Sequence, residues 1–256
     1  MVDAERNGSR WWTRLIIVVV VVGLLAGAAE LALRLIIPGV VAGAVRTQLD
    51  LTDDHPVDVA LGGSALLNAF RGGVGDVTVD VPDAPLVEGV QADATLHADL
   101  VPFNPTSGEI SDAVIELRLD KEQLGPVIET VTQGVAQSGE VRDGELVVGR
   151  ALDAFGQQVN LSARLGVQAV DGAVEINPLG LQAAGFDFSA EQLAQATGTL
   201  LDPILQPQTV CIADQLPAGV TLTDIELSST GAVTIRADLA PGILSDPDQQ
   251  AKGVCG

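Results

Sequence analysis

Residues 15–29, LIIVVVVVGLLAGAA, carry no charged or hydrogen-bonding side chain, and Arg6, Arg10 and Arg14 precede them. Arginines on the near side of a lone apolar run hold that end in the cytoplasm, so the chain beyond it is threaded across the membrane. The rest of the protein must then fold outside the cytoplasm. A run of this length lies between two readings, at the upper limit of a signal peptide's apolar region and short of the ~20 residues that span a bilayer. Ala26-Gly27-Ala28 has the small-x-small form that signal peptidase accepts. Against cleavage, Glu30 leads directly into LALRLII (31–37), and Glu30 and Arg34, four apart on a helix, can pair and lower the cost of continuing a span. The chain is therefore expected to divide into a cytoplasmic N-terminus over 1–14, a transmembrane anchor or signal segment over 15–37, and an extracytoplasmic domain over 38–256.

From Glu30 onward 10 Lys and Arg face 32 Asp and Glu, a net charge near −22. Such a surface argues against nucleic acid and against general adsorption to anionic headgroups. Aromatic residues make up 3% of the chain, with no Tyr and both Trp (Trp11 and Trp12) at the membrane edge, so the core must be aliphatic. Cys211 and Cys255 both lie in the exported part, where an oxidising compartment favours a disulfide. Metal ligation is the weaker reading, because there is no CxxC and the two histidines, His55 and His97, are far away in sequence.

After Pro38-Gly39, VVAGAVRTQLD (40–50) has helical spacing and predicts a short helix. Residues 57–61 alternate as a strand, and SALLNAFRGG (64–73) predicts a helix capped by Ser64 and stopped by Gly72. VTVDV (77–81) and VQADATLHADLV (90–101) predict a hairpin. AVIELRL (113–119) alternates, with Ile115, Leu117 and Leu119 on one face. Asp120 with Gln123 three residues on predicts a capping box for a helix whose Leu124, Ile128, Val131 and Val135 share a face. Residues 145–149, 158–170 and 173–178 alternate again, the last two joined by Asp171-Gly172, a strong hairpin turn. Phe186 and Phe188 then alternate as Leu117 and Leu119 do, and SAEQL (189–193) stands 69 residues after DKEQL (120–124), opening a second helix to about residue 204. This strand, cap and helix unit is either a duplication or a shared economical way to leave a strand. A last hairpin over 219–239 closes the chain. About nine short-connected strands with a few amphipathic helices make an α+β protein, a long twisted antiparallel sheet wrapped around helices and enclosing an elongated apolar cavity.

Catalytic patterns are sparse. Ser64 in GGSAL is not a GxSxG elbow, and a Ser/His/Asp set would need His55, in a polar turn, or His97, in mid-strand. Asp53-Asp54 and Asp246/Asp248 lack calcium-loop spacing, and the glycine pairs lack the lysine of a phosphate loop. What the chain has in abundance is aliphatic surface on alternating strands. Acyl chains need little else, at about 0.8 kcal/mol per buried CH₂.

The membrane segment followed by IIPGVVAGAVRTQL (36–49), the GGSALLNAFRGGVGDVTVDV stretch (62–81), the VIELRLDKEQL (114–124) and FDFSAEQL (186–193) joints, and the closing LPAGVTLTDIELSSTGAVTIRADL (216–239) together resemble the LmeA-like phospholipid-binding proteins of the actinobacterial cell envelope. The resemblance implies a relative of the tubular lipid-binding (BPI-like) fold. It also implies phospholipid binding at the outer face of the cytoplasmic membrane and support of envelope maturation, including mannan elongation of lipoglycans, with no catalytic residue and no cofactor. On this reading Leu66, Leu67, Phe70, Ile115, Leu117, Leu119, Leu124, Ile128, Phe186, Phe188, Leu193 and Leu200 line the acyl site, and one or two of Arg71, Arg118, Arg142, Arg150, Arg164 and Arg236 meet the headgroup phosphate. The expected partners are phospholipid and the cytoplasmic membrane, not nucleic acid. Two other readings stand beside it: a non-catalytic accessory subunit of an envelope glycosyltransferase, with a closed groove, and an envelope hydrolase using His55 or His97.

Overall fold

One helix, α1 (Gly8–Gln48), carries the apolar segment and continues without a break into the domain. The computed structural model describes residues 8–87, 89–104, 106–154, 157–183, 185–197 and 205–255. The separate helix expected after Pro38 is thus the C-terminal part of α1, with Pro38 inside it. An internal proline removes one backbone hydrogen bond and ordinarily costs about 3 kcal/mol. Here tertiary contacts hold the turns on both sides of it: the Arg34 guanidinium donates to the carbonyls of Leu61 and Gly63, and Ala42 is buried in the core.

The strands form two antiparallel sheets. The first has the order β1 (Asp58–Leu61), β2 (Gly73–Val87), β3 (Val90–Pro102), β4 (Ala113–Leu119), β12 (Val233–Leu239) and β11 (Val220–Leu227). Its register makes plain why alternation specifies it. Val59, Val79, Leu96, Ile115, Ala237 and Leu222 are successive cross-strand partners in one row, while Asp58, Asp80, Thr95, Glu116, Arg236 and Asp224 form a neighbouring row on the opposite face. Side chains alternate with a period of two, so each strand sends valines and leucines to one side and charge to the other. On the wet face Arg236 donates to Glu116 and Asp224, each at 2.8 Å, and the Glu116 hydrogen bond raises the guanidinium pKa further. α1 covers the other face, where Ala42 packs with Val57, Val77, Val79, Val81 and Ala84.

The second sheet runs β10 (Gln208–Val210), β8 (Ala173–Ala183), β7 (Gln157–Val170), β6 (Glu145–Ala154) and β5 (Ser138–Arg142), with β9 (Phe186–Ser189) also paired to β8. Three shorter helices complete the described elements up to residue 197: α2 (Ala65–Phe70), α3 (Lys121–Val131) and α4 (Ala190–Thr197). Leu124 of α3 joins the two sheets, packing with Leu119 and Val233 of the first and Val141 of β5. α5 (Pro247–Gln250) precedes Cys255, which is bonded to Cys211 as expected, with the Cα atoms 5.9 Å apart.

The two strand-to-helix joints differ in one respect from their sequence pattern. At Ser189 the capping box forms: Gln192 N–H donates to Ser189 Oγ at 3.2 Å and Ser189 N–H to Gln192 Oε1 at 3.0 Å. At Asp120, where the box was expected, the side chain caps nothing. Its carboxylate lies 3.6 Å from the Arg118 guanidinium, and Gln123 N–H donates to the Asp120 backbone carbonyl instead. The recurrence is nevertheless larger than the strand and cap. β1 to β4 with α3, and β6 to β9 with α4, are each a four-stranded antiparallel meander followed by a helix.

Candidate functional site

Between α1 and the first sheet lies an apolar cavity of about 230 Å³. α1 supplies Val41 and Val45, one helical turn apart. β2 supplies Val74, Val77 and Val79, and β3 supplies Leu96, Ala98 and Val101. Ile110, Ala113, Leu239, Ile243 and Leu244 close the far side. Every lining residue is aliphatic. The space arises where Ala98 and Ala113, both nearly fully buried, occupy inward positions that Leu96 and Ile115 fill two residues further along the same strands. Missing methylenes beneath a helix leave room. The volume is below the ~300–1,000 Å³ of pockets that enclose a drug-sized ligand, and it suits part of an acyl chain rather than a whole phospholipid.

The residues expected to line an acyl site are distributed elsewhere. Ile115 and Leu117 lie on the same sheet face as the cavity, Ile115 paired with the lining residue Leu96. Leu119 and Leu124 belong to the core that joins the sheets, and Ile128 packs closely over Gly139 of β5. Leu66 and Leu193 are half-buried on α2 and α4. Leu67 and Phe70 stand on the outside of α2, 65% and 83% exposed. Phe186 and Phe188 pair with Ala183 and Leu181 on an apolar face of the second sheet and are also exposed. Leu200 lies outside the described residues. Sequence reasoning missed the α1 valines, Ile243 and Leu244. The i,i+4 spacing of Val41 and Val45 was a usable signal, whereas Ile243 and Leu244 follow the last strand in no periodic pattern.

Four of the six arginines are already paired: Arg118 with Asp120, Arg142 with Glu140, Arg164 with Glu145 and Asp187, and Arg236 as described. Arg71 and Arg150 have no ion pair among the described residues. The histidines are tied into the framework. His55 Nε2 lies 2.8 Å from the Pro82 carbonyl, and His97 sits between Thr78 Oγ1 (3.2 Å) and Asp99 (3.5 Å) on the wet face.

Residues 28–237 match the model of the LmeA-like phospholipid-binding family. The chain belongs to that family. No curated protein and no solved structure gives a match. The LmeA-like region starts two residues before Glu30 and ends in β12, so it contains both meanders and most of the cavity wall. Membership in this family supports a lipid-binding role.

Proposed function

We propose that this LmeA-like protein is a non-catalytic phospholipid-binding protein at the outer face of the cytoplasmic membrane. Residues 15–29 hold it there, one acyl chain enters the cavity under α1, and the bound lipid serves envelope maturation. The observation that carries the reading is the wholly aliphatic lining, which offers an acyl chain contact and offers a polar substrate no hydrogen bond. An open cavity of this kind also favours lipid binding over a scaffold with a closed groove. Glu30 and Arg34 engage the folded domain, and on this reading the span ends at Ala29, short of the 15–37 segment expected from sequence. From Trp11 to Ala29 a helix measures about 28 Å, close to the ~30 Å hydrocarbon thickness.

Photo-crosslinking tests the site. The full-length protein is reconstituted with phosphatidylcholine bearing a diazirine near the acyl terminus and irradiated, and the adducts are mapped by peptide mass spectrometry. Adducts are expected in the segments around Val77, Ala98 and Ile243, with their yield reduced by Ala98→Leu, which fills the space. Adducts confined to residues 15–29 would overturn the reading, and adducts confined to the peptide with Phe186 and Phe188 would move the site to the second sheet.

A further inference from the structure

α1 and β2 run side by side in the same direction. Arg46 donates to the His55 carbonyl, and the His55 ring reaches the Pro82 carbonyl. Twelve residues earlier, Arg34 donates to the Leu61 carbonyl, beside Gly62, whose N–H donates to Asp76. Twelve residues of helix cover about 18 Å and the six strand residues from Asp76 to Pro82 about 20 Å, so the two elements keep pace. β2 begins at Gly73, which pairs with Pro102. α1 therefore passes the end of the sheet near residue 28, and the apolar residues before it project beyond the domain. At this same end lie the last turn of α2 and the residues after β3, joined by a hydrogen bond from Phe103 N–H to the Gly72 carbonyl at 3.0 Å. Leu67 and Phe70, three apart on one face of α2, and Phe103 (57% exposed) stand uncovered there.

Acidic residues are sparse in the stretches that form this end, with Glu30 at the start of α2 and Asp76 beside Gly62. Residues 59–75 and 100–108 contain no Asp or Glu, in a chain with 34 of them, and they include Arg71, which has no ion pair among the described residues. We infer that Leu67, Phe70, Arg71 and Phe103 form a bilayer-contacting surface, seated in the headgroup region of the leaflet from which α1 emerges. Phenylalanine and leucine enter the boundary between headgroups and acyl chains, and Arg71 meets lipid phosphate. The lack of Asp and Glu within these two stretches lets a protein of net charge −21 approach that surface. It also seats the cavity-bearing end of the first sheet against the membrane. The inference rests on the reading of residues 15–29 as a retained span.

Single cysteines report it, because both native cysteines are in the disulfide. Full-length Val20→Cys, Phe70→Cys, Phe103→Cys and Leu86→Cys proteins, the last at the opposite end of β2, are labelled with bimane in phosphatidylcholine nanodiscs containing lipid doxyl-labelled at carbon 5 or carbon 12. Positions 70 and 103 are expected to lose fluorescence most strongly to the carbon-5 probe, position 20 to the carbon-12 probe, and position 86 to neither. Quenching at 20 with 70 and 103 as bright as 86 would overturn the contact surface while leaving the span and the lipid cavity standing. An unquenched position 20 would overturn the span and this inference with it.

Discussion

Glu30 and Ser64 divide the capping of α2 between them. The Glu30 carboxylate accepts from Ser64 Oγ at 2.9 Å, Ala65 N–H at 2.9 Å and Leu66 N–H at 2.7 Å, while Ser64 Oγ accepts from Leu67 N–H at 3.3 Å. A six-residue helix cannot sustain itself, and its unpaired N-terminal N–H groups need partners. Ser64 was legible as a cap from local sequence. Glu30 was not, because a residue 34 positions away enters only when α1 is laid across the sheet. Glu30→Ala is therefore expected to accelerate amide hydrogen exchange at Ala65 and Leu66, and unchanged exchange there would remove the clamp from this account. Burial separates the apolar residues just as sharply. Leu119→Ala or Leu124→Ala should cost about 2–5 kcal/mol in denaturant unfolding, whereas Phe70→Ala should stay within about 0.5 kcal/mol, since it packs against little.

Among the elements, α3 and α4 begin from nearly the same sequence and end with different caps. DKEQL and SAEQL both satisfy the capping-box pattern, but Asp120 has Arg118 as a competing partner and Ser189 has no such neighbour two residues before it. A hydroxyl is also short enough to stay with the backbone. Ser189→Ala should accordingly destabilise by about 1 kcal/mol, and Asp120→Ala by clearly less, in matched thermal melts. The disulfide closes a separation of 44 residues around the final hairpin. Loop-closure entropy assigns it about 4 kcal/mol, so Cys255→Ser should lower the melting temperature markedly and make it insensitive to reductant. Strand alternation and the Asp171-Gly172 turn were readable locally. The division of these strands between two sheets was not, because it depends on β12 returning to pair with β4 across more than a hundred residues.

For the molecule as a whole, α1 is both a helix long and apolar enough to cross a membrane and a wall of the core. Residues 17–28 are largely exposed, while Val41, Ala42 and Val45 pack on the first sheet. Removing residues 1–29 should leave the melting temperature of the domain nearly unchanged. Removing residues 1–39 takes away Glu30 and Arg34 as well, and the melting temperature should fall. Equal melting of the two truncated forms would show that the clamp contributes nothing to stability.

Sequence by itself determined the apolar N-terminal segment, the aliphatic character of the core, the alternating strands, the disulfide and the α+β class. Each follows from composition or from a period read within a few residues. Tertiary structure alone decided that α1 runs unbroken through Pro38, that Glu30 caps a helix distant in sequence, and that the cavity forms from Val41, Ala98 and Ile243 rather than from the phenylalanines. The cavity exists where Ala98 and Ala113 of two neighbouring strands face the helix that carries Val41 and Val45. Their spacing in space is set by helix-on-sheet packing, which no local period records.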